Sequence, residues 1–476
     1  MRWSAENIVP LATAVACLAA LLGWSLHHQV EPAAPRLPID HPRPASDDRD
    51  GATALAEARL VTGPGEAGAD RGAWPSFRGP ERTGWIEPTT PLARKWPADG
   101  PRRLWQVAMG EGYAGAAIRD GRVYVIDYDP QDQADALRCL SLDDGREIWR
   151  QTYPVKVKRS HGMSRTVPAV ADRTVVSLGP KCHVIAADAI TGELRWGMDL
   201  VERFGTTVPP WYAGQCPLID GGRVILAPAG KQVLMAAVDL RSGELAWTTP
   251  NTRGWSMTHA SVATMQLGDR RMYIYCGSGG VAGVDAQTGR LLWQTDAWRV
   301  RIATVPTPVV IGDGRVFFSG GYNAGSMMMR IRPEGDGYAT EVLWRLDAKL
   351  FGATQQTPIL YRDHLFGVRP DGQMACLDLD GNVVWTSGPK ARFGIGPFLI
   401  AGGLMYLMDD DGQLTLAETS TRAYKPLATA RVLDGHESWG PMALAGDRLI
   451  VRDLTTMACL HVGDGTADAA AGTQAP

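Results

Sequence analysis

The chain contains 476 residues and carries a formal net charge of −3 at pH 7. This charge, and the lack of a long basic run interleaved with aromatic residues, argue against nucleic acid as a partner. The 54 glycines and 32 prolines are typical of a β protein with many turns. A chain of this length favours two or three domains unless an internal repeat joins it into one unit.

The amino terminus contains a long apolar run. Residues 8–26 are 19 positions without a formal charge, close to the ~20 that cross a bilayer as a helix. Trp3 and Trp24 stand near the ends of this run, where tryptophan favours the membrane interface. Because no small-x-small cleavage site follows, the sequence favours an uncleaved membrane anchor over residues 1–30. A cleaved signal peptide and a lipoprotein modified at Cys17 remain as alternatives.

The segments that flank the repeats differ from them in composition. Residues 31–73 are rich in proline, alanine, aspartate and glycine and contain no aromatic side chain. Such a composition buries too little apolar surface to offset the entropy lost on ordering, so we expect a disordered tether. Residues 74–101 form a lead-in before the repeats, and the tail over residues 463–476 is expected to be disordered.

A short phrase that ends in tryptophan recurs along most of the chain. Clear copies cover residues 187–196, 238–247 and 284–293, and looser copies complete a series with a spacing of roughly 40 to 50 residues. The tryptophans of the series, which we expect to dock between structural units, are Trp105, Trp149, Trp196, Trp247, Trp293, Trp344 and Trp385. A period of this size indicates a repeat array that folds as one unit.

Each repeat reads as a small antiparallel sheet. Alternating apolar runs such as residues 222–226 and 314–318 predict strands. The Asp-x-x-Thr-Gly sequence predicts a hairpin turn, in which the aspartate bonds the turn backbone and glycine adopts a positive φ. The tryptophan after the turn has a large apolar face that must be buried against a neighbour. Four short strands per repeat are typical of a β-propeller blade.

Counting the first strands of the repeats gives eight blades. These strands begin near Ala117, Pro168, Pro217, Ser261, Pro308, Pro358, Pro397 and Pro441. The eighth repeat ends before its last strand, and residues 104–107 supply a matching strand ahead of the first repeat. Joining the two closes the ring and removes the open sheet edges. The sequence therefore predicts an all-β, eight-bladed propeller of four-stranded antiparallel blades over residues 102–462, with a seven-bladed or irregular ring as the alternative.

The Asp-x-x-Thr-Gly-x-x-x-Trp phrase resembles the tryptophan-docking repeat of quinoprotein (pyrroloquinoline quinone, PQQ) propellers. That superfamily includes PQQ-dependent alcohol dehydrogenases and the non-enzymatic outer-membrane assembly lipoprotein BamB. The resemblance covers residues 105–462. The run from Trp74 to Pro80, with Thr83, Gly84 and Trp85 after it, also resembles the lead-in of PQQ-like repeat proteins from bacterial envelopes. The phrase is specific for the fold and says little about function.

The resemblance to catalytic quinoproteins is incomplete. Those enzymes carry a vicinal disulfide against the cofactor, hold calcium with Glu, Asn and Asp at the centre of the ring, and use an Asp base. This sequence has no Cys-Cys pair and no loop with the matching ligand set. Because calcium is needed to polarise the quinone, we expect neither PQQ nor calcium, and we assign no catalytic residue and no metal ligand.

The connections between blades are rich in residues that recognise ligands. In propellers of this type these links surround the central channel on one face, and such mouths are frequent binding sites. The candidate binding residues of this funnel are His161, Arg165, Trp211, Tyr212, His259, Arg301, Gln355, Gln356, Arg392, His436 and Trp439. Arg165, Arg301 and Arg392 suit bidentate capture of a carboxylate or another small anion. The alternative is that each side chain satisfies its own loop.

These features lead to one functional hypothesis. We expect a protein held in the cell membrane by a single amino-terminal helix, with the propeller on the extracytoplasmic, periplasmic side. It would act as a non-catalytic binding or scaffold module for a protein partner of the cell envelope or a small anionic ligand. A PQQ-dependent oxidoreductase, or a sensor of a small ligand or carbohydrate at the channel mouth, remains the alternative.

Overall fold

Eight sheets follow one another along the chain, and each is built from strands in up-and-down antiparallel order. The computed structural model describes residues 51–464. The expected anchor over residues 1–30, the first part of the expected linker and the tail from residue 465 lie outside this range. Within it, no helix is long and apolar enough to span a bilayer. The predicted eight-bladed propeller with four-stranded antiparallel blades is confirmed.

The part of the chain before blade 1 contributes the first elements. These are α1 (Gly51–Ala56), β1 (Arg59–Thr62), β2 (Trp85–Ile86) and β3 (Arg103–Ala108). A second short helix, α2 (Leu200–Phe204), lies between blades 2 and 3. The Asp199 side chain caps α2 by accepting hydrogen bonds from the Val201 and Glu202 amides, and Gly205 ends it with a φ of 67°.

Blades 1 to 4 contain sixteen strands of the ring. Blade 1 comprises β4 (Ala117–Arg119), β5 (Arg122–Asp129), β6 (Ala134–Ser141) and β7 (Glu147–Pro154). Blade 2 comprises β8 (Ala169–Ala171), β9 (Thr174–Leu178), β10 (His183–Asp188) and β11 (Leu194–Asp199). Blade 3 comprises β12 (Leu218–Asp220), β13 (Arg223–Leu226), β14 (Val233–Asp239) and β15 (Leu245–Pro250). Blade 4 comprises β16 (Ala263–Leu267), β17 (Arg270–Gly277), β18 (Gly280–Asp285) and β19 (Leu291–Thr295).

Blades 5 to 8 complete the ring. Blade 5 comprises β20 (Val309–Gly312), β21 (Arg315–Gly320), β22 (Gly325–Glu334) and β23 (Gly337–Leu346). Blade 6 comprises β24 (Ile359–Tyr361), β25 (His364–Val368), β26 (Met374–Asp378) and β27 (Val383–Thr386). Blade 7 comprises β28 (Phe398–Ala401), β29 (Leu404–Met408), β30 (Gln413–Glu418) and β31 (Lys425–Arg431). Blade 8 comprises β32 (Ala443–Ala445), β33 (Arg448–Arg452) and β34 (Thr456–His461), with β3 as its outer strand.

The hydrophobic core lies between neighbouring blades, around the middle strands of each sheet. In blade 2, every residue of β9 and β10 is buried. A middle strand is covered on both faces by adjacent blades, which explains why burial is continuous along these strands instead of alternating. The first strands of all eight blades begin within two residues of the predicted positions.

The ring closes where the sequence predicts. Strand β3 pairs antiparallel with β34, and Trp105 stands opposite Cys459. The Trp105 indole donates a hydrogen bond of 2.8 Å to the carbonyl of Leu142 in blade 1. One sheet is therefore assembled from both ends of the propeller, which leaves no open edge at the seam.

The docking tryptophans pack on glycine turns of the next blade. The rings of Trp105, Trp149, Trp196, Trp247 and Trp344 lie against Gly145, Gly192, Gly243, Gly289 and Gly381, respectively. These five glycines have φ values between 71° and 89°. In each case an added Cβ would lie within 3.2 Å of the ring. Glycine is therefore required both by the turn and by the close approach of the indole.

The turns after Trp293 and Trp385 differ from this pattern. Blade 5, which follows Trp293, replaces the glycine turn with two ten-residue strands, β22 and β23. Blade 7, which follows Trp385, presents Tyr424, whose ring centroid lies 6.0 Å from the indole. The Trp385 indole donates to the Ser420 carbonyl at 2.9 Å. Both tryptophans are buried, so the docking position is kept while the turn changes.

The expectation that residues 31–73 are a disordered tether is wrong for the part from residue 51. Helix α1 packs beside β7, β11 and α2. Strand β1 pairs antiparallel with β7, with Arg59 opposite Thr152, and adds a fifth strand to blade 1. The outer edge of blade 1 offers backbone donors and acceptors that an extended segment of almost any composition can satisfy. Composition alone therefore does not detect this strand.

Candidate functional site

The two faces of the ring carry different kinds of connection. Each first strand starts where the link from the preceding blade arrives, so the links and the turns between second and third strands share one face, here called the link face. The turns between first and second strands, and between third and fourth strands, lie on the opposite face, here called the turn face. This assignment follows from the antiparallel order of every blade.

The lead-in passes through the centre of the ring. We call residues 74–86 the plug. Trp74 and Ile118 exchange two backbone hydrogen bonds of 2.8 Å, and the Val170 amide donates to the carbonyl of Pro75. Trp74 pairs antiparallel with blade 1, whereas β2 pairs parallel with β28 of blade 7. The plug therefore rises from the turn face, bends near the link face and returns.

Two arginines hold the bend of the plug. The Arg78 guanidinium donates to the carbonyls of Thr357 and Pro358 at 2.8 and 3.0 Å, and to two carbonyls of the plug itself. Arg82 donates to the carbonyl of Pro217 at 3.1 Å. The plug is thus attached to the first strands of blades 3 and 6, in addition to blades 1, 2 and 7.

Both arginines of the bend are partly buried. Burial, followed by the charge of Arg82, lowers the pKa of Arg78 to about 9, and burial also lowers the pKa of Arg82. Arg78 therefore remains charged at neutral pH. Both residues have a positive φ, 69° and 56°, a conformation that side chains other than glycine adopt at a cost.

Aromatic residues from consecutive links form a continuous arc on the link face. Trp439 packs on Tyr113 with ring centroids 5.1 Å apart, and the Arg165 guanidinium lies 5.2 Å from the Tyr113 centroid. Arg165 also donates to the Trp211 carbonyl, and the Trp211 ring lies 6.4 Å from that of His259. We call these five residues the aromatic arc. It extends from the link before blade 8 to the link before blade 4.

Hydrogen bonds fix the orientation of the rings. The Trp439 indole donates to Asp410 and the Tyr113 hydroxyl donates to Glu437, both at 2.7 Å. The Tyr212 hydroxyl donates to the Lys158 carbonyl at 2.6 Å. Burial, with the charge of Arg165 as the second cause, lowers the pKa of His259 to about 4. His259 is therefore neutral at physiological pH.

Four residues other than glycine on the links that carry the arc have a left-handed backbone conformation. His161, Trp211, Tyr212 and Glu437 have φ values of 53°, 60°, 72° and 56°. A positive φ is uncommon for residues other than glycine, and it is energetically least favourable for bulky side chains. Trp211, Tyr212 and Trp439 remain partly exposed. These links therefore contain strained backbone, and their aromatic side chains stay partly exposed to water. Strained backbone that holds accessible side chains is often found at binding sites.

Comparison with known proteins identifies the family. Residues 133–387, more than half of the chain, match the family described as outer membrane protein assembly factor BamB. The chain belongs to this family. It is 20% identical over 383 residues to the outer membrane protein assembly factor BamB of Yersinia pestis, covering 76% of this chain and 89% of that protein.

Two further proteins are similar to this chain, one in part of its sequence and one in its fold. The chain is 30% identical over 159 residues to the serine/threonine-protein kinase AfsK of Streptomyces griseus, but this match spans only 32% of the chain and 18% of the kinase. The crystal structure of BamB from Moraxella catarrhalis superimposes with a TM-score of 0.52 at 14% identity, covering 76% of this chain and 99% of that one. At this level of sequence identity the superposition supports a shared fold and nothing further.

The three arginines predicted to capture an anion together are not equivalent. The Arg165 guanidinium is committed to the carbonyls of Ser160, Gly162 and Trp211, and burial lowers its pKa to about 10. Arg392 is exposed and donates to the carbonyl of Pro389 in its own link. Arg301 is exposed on the link before blade 5. Two carbonyls of its own link and one of the neighbouring link accept from Nε and Nη2 of Arg165, and its part in anion capture stays a prediction.

The other predicted funnel residues divide into structural and exposed ones. Gln356 is buried and donates to the carbonyls of Gly394 and Gly396, so it joins the links before blades 6 and 7. His161, Gln355 and His436 are exposed. Their role in binding stays a prediction, as does that of the aromatic residues.

Sequence analysis missed Tyr113, Arg78 and Arg82. Tyr113 lies between β3 and β4. This segment is a link between blades only because β3 closes the ring as the outer strand of blade 8. The two arginines lie in the lead-in phrase from Trp74 to Trp85, whose composition gave the only signal. A proline- and glycine-rich phrase with two tryptophans points to an ordered segment but not to its position in the channel.

The centre of the ring does not suit the calcium-bound quinone that the catalytic propellers hold there. Two guanidinium groups stand at the bend of the plug, and like charge disfavours a divalent cation. Within residues 51–464, no group of three or more His, Cys, Asp or Glu side chains could hold a metal ion. The six cysteines of this range are buried and unpaired in disulfides. The residues at this position therefore do not fit the cofactor.

Proposed function

We propose that this protein is a membrane-anchored, exported propeller that acts as a non-catalytic binding module in the cell envelope and engages a protein partner through its link face. The observation that carries this proposal is the plug. Where the catalytic propellers bind calcium and quinone, this chain inserts its own backbone and two arginines attached to carbonyls. In this proposal the residues of the channel have a structural role instead of a catalytic one.

The link face supports the choice of a protein partner. Partly exposed tryptophan and tyrosine side chains with fixed orientation are the residues that most often anchor protein interfaces. Trp211, Tyr212 and Trp439 have this character, and they lie on the links before blades 3 and 8 instead of converging on one small pocket. Membership of the family named for outer membrane protein assembly agrees with a partner in the envelope.

The partner surface can be tested by site-specific photo-crosslinking of the full-length protein in its native membranes. A photoreactive residue would replace His161 or His436 on the link face, or Ile190, an exposed position on the turn face, as the matched control. We expect a discrete crosslinked protein from the link-face positions only. Equal products from both faces, or none from the link face, would contradict the proposal.

The topology in the membrane needs its own test. We propose that residues 1–30 anchor the chain and that the propeller lies on the extracytoplasmic side. Protease added to spheroplasts should degrade the propeller while cytoplasmic marker proteins stay intact, and the protein should resist extraction with alkaline carbonate. Protection of the propeller, or its release by carbonate, would contradict this topology.

A carbohydrate is the second candidate ligand, because strained links hold aromatic rings at the surface. Sugar rings stack on accessible aromatic faces, and Trp211 and Trp439 are partly exposed tryptophans on two different links of the arc. Binding of envelope glycans measured by calorimetry should weaken in Trp211→Ala and persist in Trp3→Ala. Glycan binding without any link-face crosslink would favour this candidate over the protein partner.

A further inference from the structure

The bend of the plug concentrates positive charge that the protein does not neutralise. Arg78 and Arg82 are close enough for the charge of one to lower the pKa of the other. Neither belongs to any of the ion pairs formed by the described side chains, and their protein partners are carbonyl oxygens. Charged groups removed from water are ordinarily paired, because carbonyls alone replace hydration poorly.

The two guanidinium groups differ in how many hydrogen bonds they donate to protein acceptors. Arg78 makes four hydrogen bonds, through Nε, Nη1 and Nη2, which fasten the bend to itself and to blade 6. Arg82 makes one, from Nη1 to the Pro217 carbonyl. Its Nη2 is shielded from solvent and has no acceptor among the described residues. A guanidinium carries five N–H donors, so Arg82 retains most of its capacity.

The surroundings of Arg82 contain hydroxyl groups that are already engaged. Its partner Pro217 follows Cys216, whose amide donates to the Ser261 hydroxyl at 2.9 Å. The Ser261 hydroxyl also bonds the Cys216 thiol. The Thr357 hydroxyl, beside the carbonyl that accepts from Arg78, accepts from the Thr307 amide at 3.0 Å. The unmatched donors are therefore those of Arg82 itself, and donors without matching acceptors favour an anion over a cation or a neutral ligand.

The nearest acid in the sequence does not balance the charge. Glu81 is exposed and precedes Arg82, yet it forms no ion pair with it. The charge of Glu81 acts instead on Arg271 of blade 4, whose guanidinium pairs with Asp220. The positive φ at both arginines adds a second observation, because strained backbone of this kind persists where the surrounding structure or a function requires it.

We propose that the bend of the plug binds a small oxyanion, a phosphate or a carboxylate, with Arg82 contacting the anion and Arg78 acting as the positioning residue that holds the bend. Guanidinium groups bind both kinds of anion through paired charge-assisted hydrogen bonds. This site lies in the channel and is independent of the partner surface proposed for the link face.

The test uses the full-length protein in detergent and inorganic phosphate as the probe. Isothermal calorimetry and thermal unfolding would be followed in sodium phosphate and in sodium chloride of the same ionic strength. We expect saturable binding and a midpoint raised by about 2–4 °C in phosphate, since a ligand that binds only the folded state stabilises it. Arg82→Gln should weaken binding by about tenfold or more, and Arg241→Gln, at an exposed arginine of the turn between β14 and β15, should leave it unchanged.

Further arms separate the sources of the effect. Arg82→Lys keeps the charge and should bind phosphate more weakly than wild type but more tightly than Arg82→Gln, which shows that a loss is not simple misfolding. Succinate in place of phosphate distinguishes a carboxylate ligand from a phosphate ligand. Equal phosphate responses in wild type and Arg82→Gln, or no saturable binding of either anion, would overturn the proposal. Neither result bears on the crosslinking test of the link face.

Discussion

Neighbouring blades contact each other just before their first strands, and these contacts differ between two parts of the ring. In blades 2 to 6 the equivalent residues are Val167, Cys216, Ser261, Thr307 and Thr357, and each of the first four donates its backbone N–H to the side chain of the next. We call this the latched part. In blades 7, 8 and 1 the same positions are Gly396, Gly440 and Gly115. We call this the seam part, because the ring closes there.

The seam part replaces side-chain latches with close backbone packing and a buried arginine. A Cβ on Gly115 at the start of blade 1 would lie 2.6 Å from the carbonyl of Pro441 in the link before blade 8. Arg452, 1% exposed, donates from blade 8 to the carbonyls of Ala114, Ile126 and Gly110. Blades in the latched part are held by covalent continuity and small latches, whereas β32 to β34 at one end of the propeller meet β3 and blade 1 at the other end through noncovalent contacts alone.

Removing the tryptophan that closes the ring should have the largest effect. Trp105→Ala deletes a buried indole from the outer strand of blade 8 and leaves a cavity against Gly145. We expect a loss of about 3–5 kcal/mol in the free energy of unfolding, measured by urea denaturation. Trp196→Ala in the latched part is the matched control. A loss that is equal or larger for Trp196 would show that the seam is not the weaker junction.

Arg452→Met tests the buried brace of the seam. The substitution keeps a long apolar stem but leaves three carbonyl groups without their donor. Because unsatisfied buried polar groups cost about 1–3 kcal/mol each and some will find water, we expect a total loss of about 2–4 kcal/mol. Arg301→Met, at an exposed position, should change stability by no more than about 0.5 kcal/mol. Comparable values for the two variants would argue against a brace.

Asp135 at the junction of blades 1 and 2 predicts a pH dependence. Burial raises its pKa to about 7, although the Tyr153 hydroxyl donates to it and acts in the opposite direction. The folded state therefore holds this proton more tightly than the unfolded chain does. Stability should fall as pH rises from about 4 to about 7 and level off above that, and Asp135→Asn should remove this slope. Urea midpoints at pH 5 and pH 8 measure it, and an unchanged slope in the variant would assign the dependence to another group.

Thr307→Val probes a single latch and should have the smallest effect. The valine has the same shape but cannot accept the hydrogen bond from the Ser261 amide. We expect a loss of about 1 kcal/mol in the free energy of unfolding, as for one hydrogen bond. Thr264→Val, on the preceding blade (blade 4) and outside the latches, serves as the control. A larger loss, near that of the seam variants, would mean that the latches act cooperatively around the ring.

The candidate site illustrates which residues sequence reasoning can and cannot find. The repeat locates the links, so Trp211, Tyr212, His259 and Trp439 were predicted as candidates. The use of Arg165 could not be foreseen, because its acceptors are backbone carbonyls, one of them in the next link. Side-chain type indicates what a residue can bind, whereas the carbonyls that reach it depend on how the links pack.

The sequence by itself determined the repeat, the number of blades and the closing strand, because these depend on local turn chemistry and on apolar spacing that each unit repeats. Only the tertiary structure decided that β1 covers the edge of blade 1 and that residues 74–86 fill the channel. These segments have no repeat and no amphipathic pattern. Their positions are set by unpaired backbone groups and space that exist only after the ring has formed.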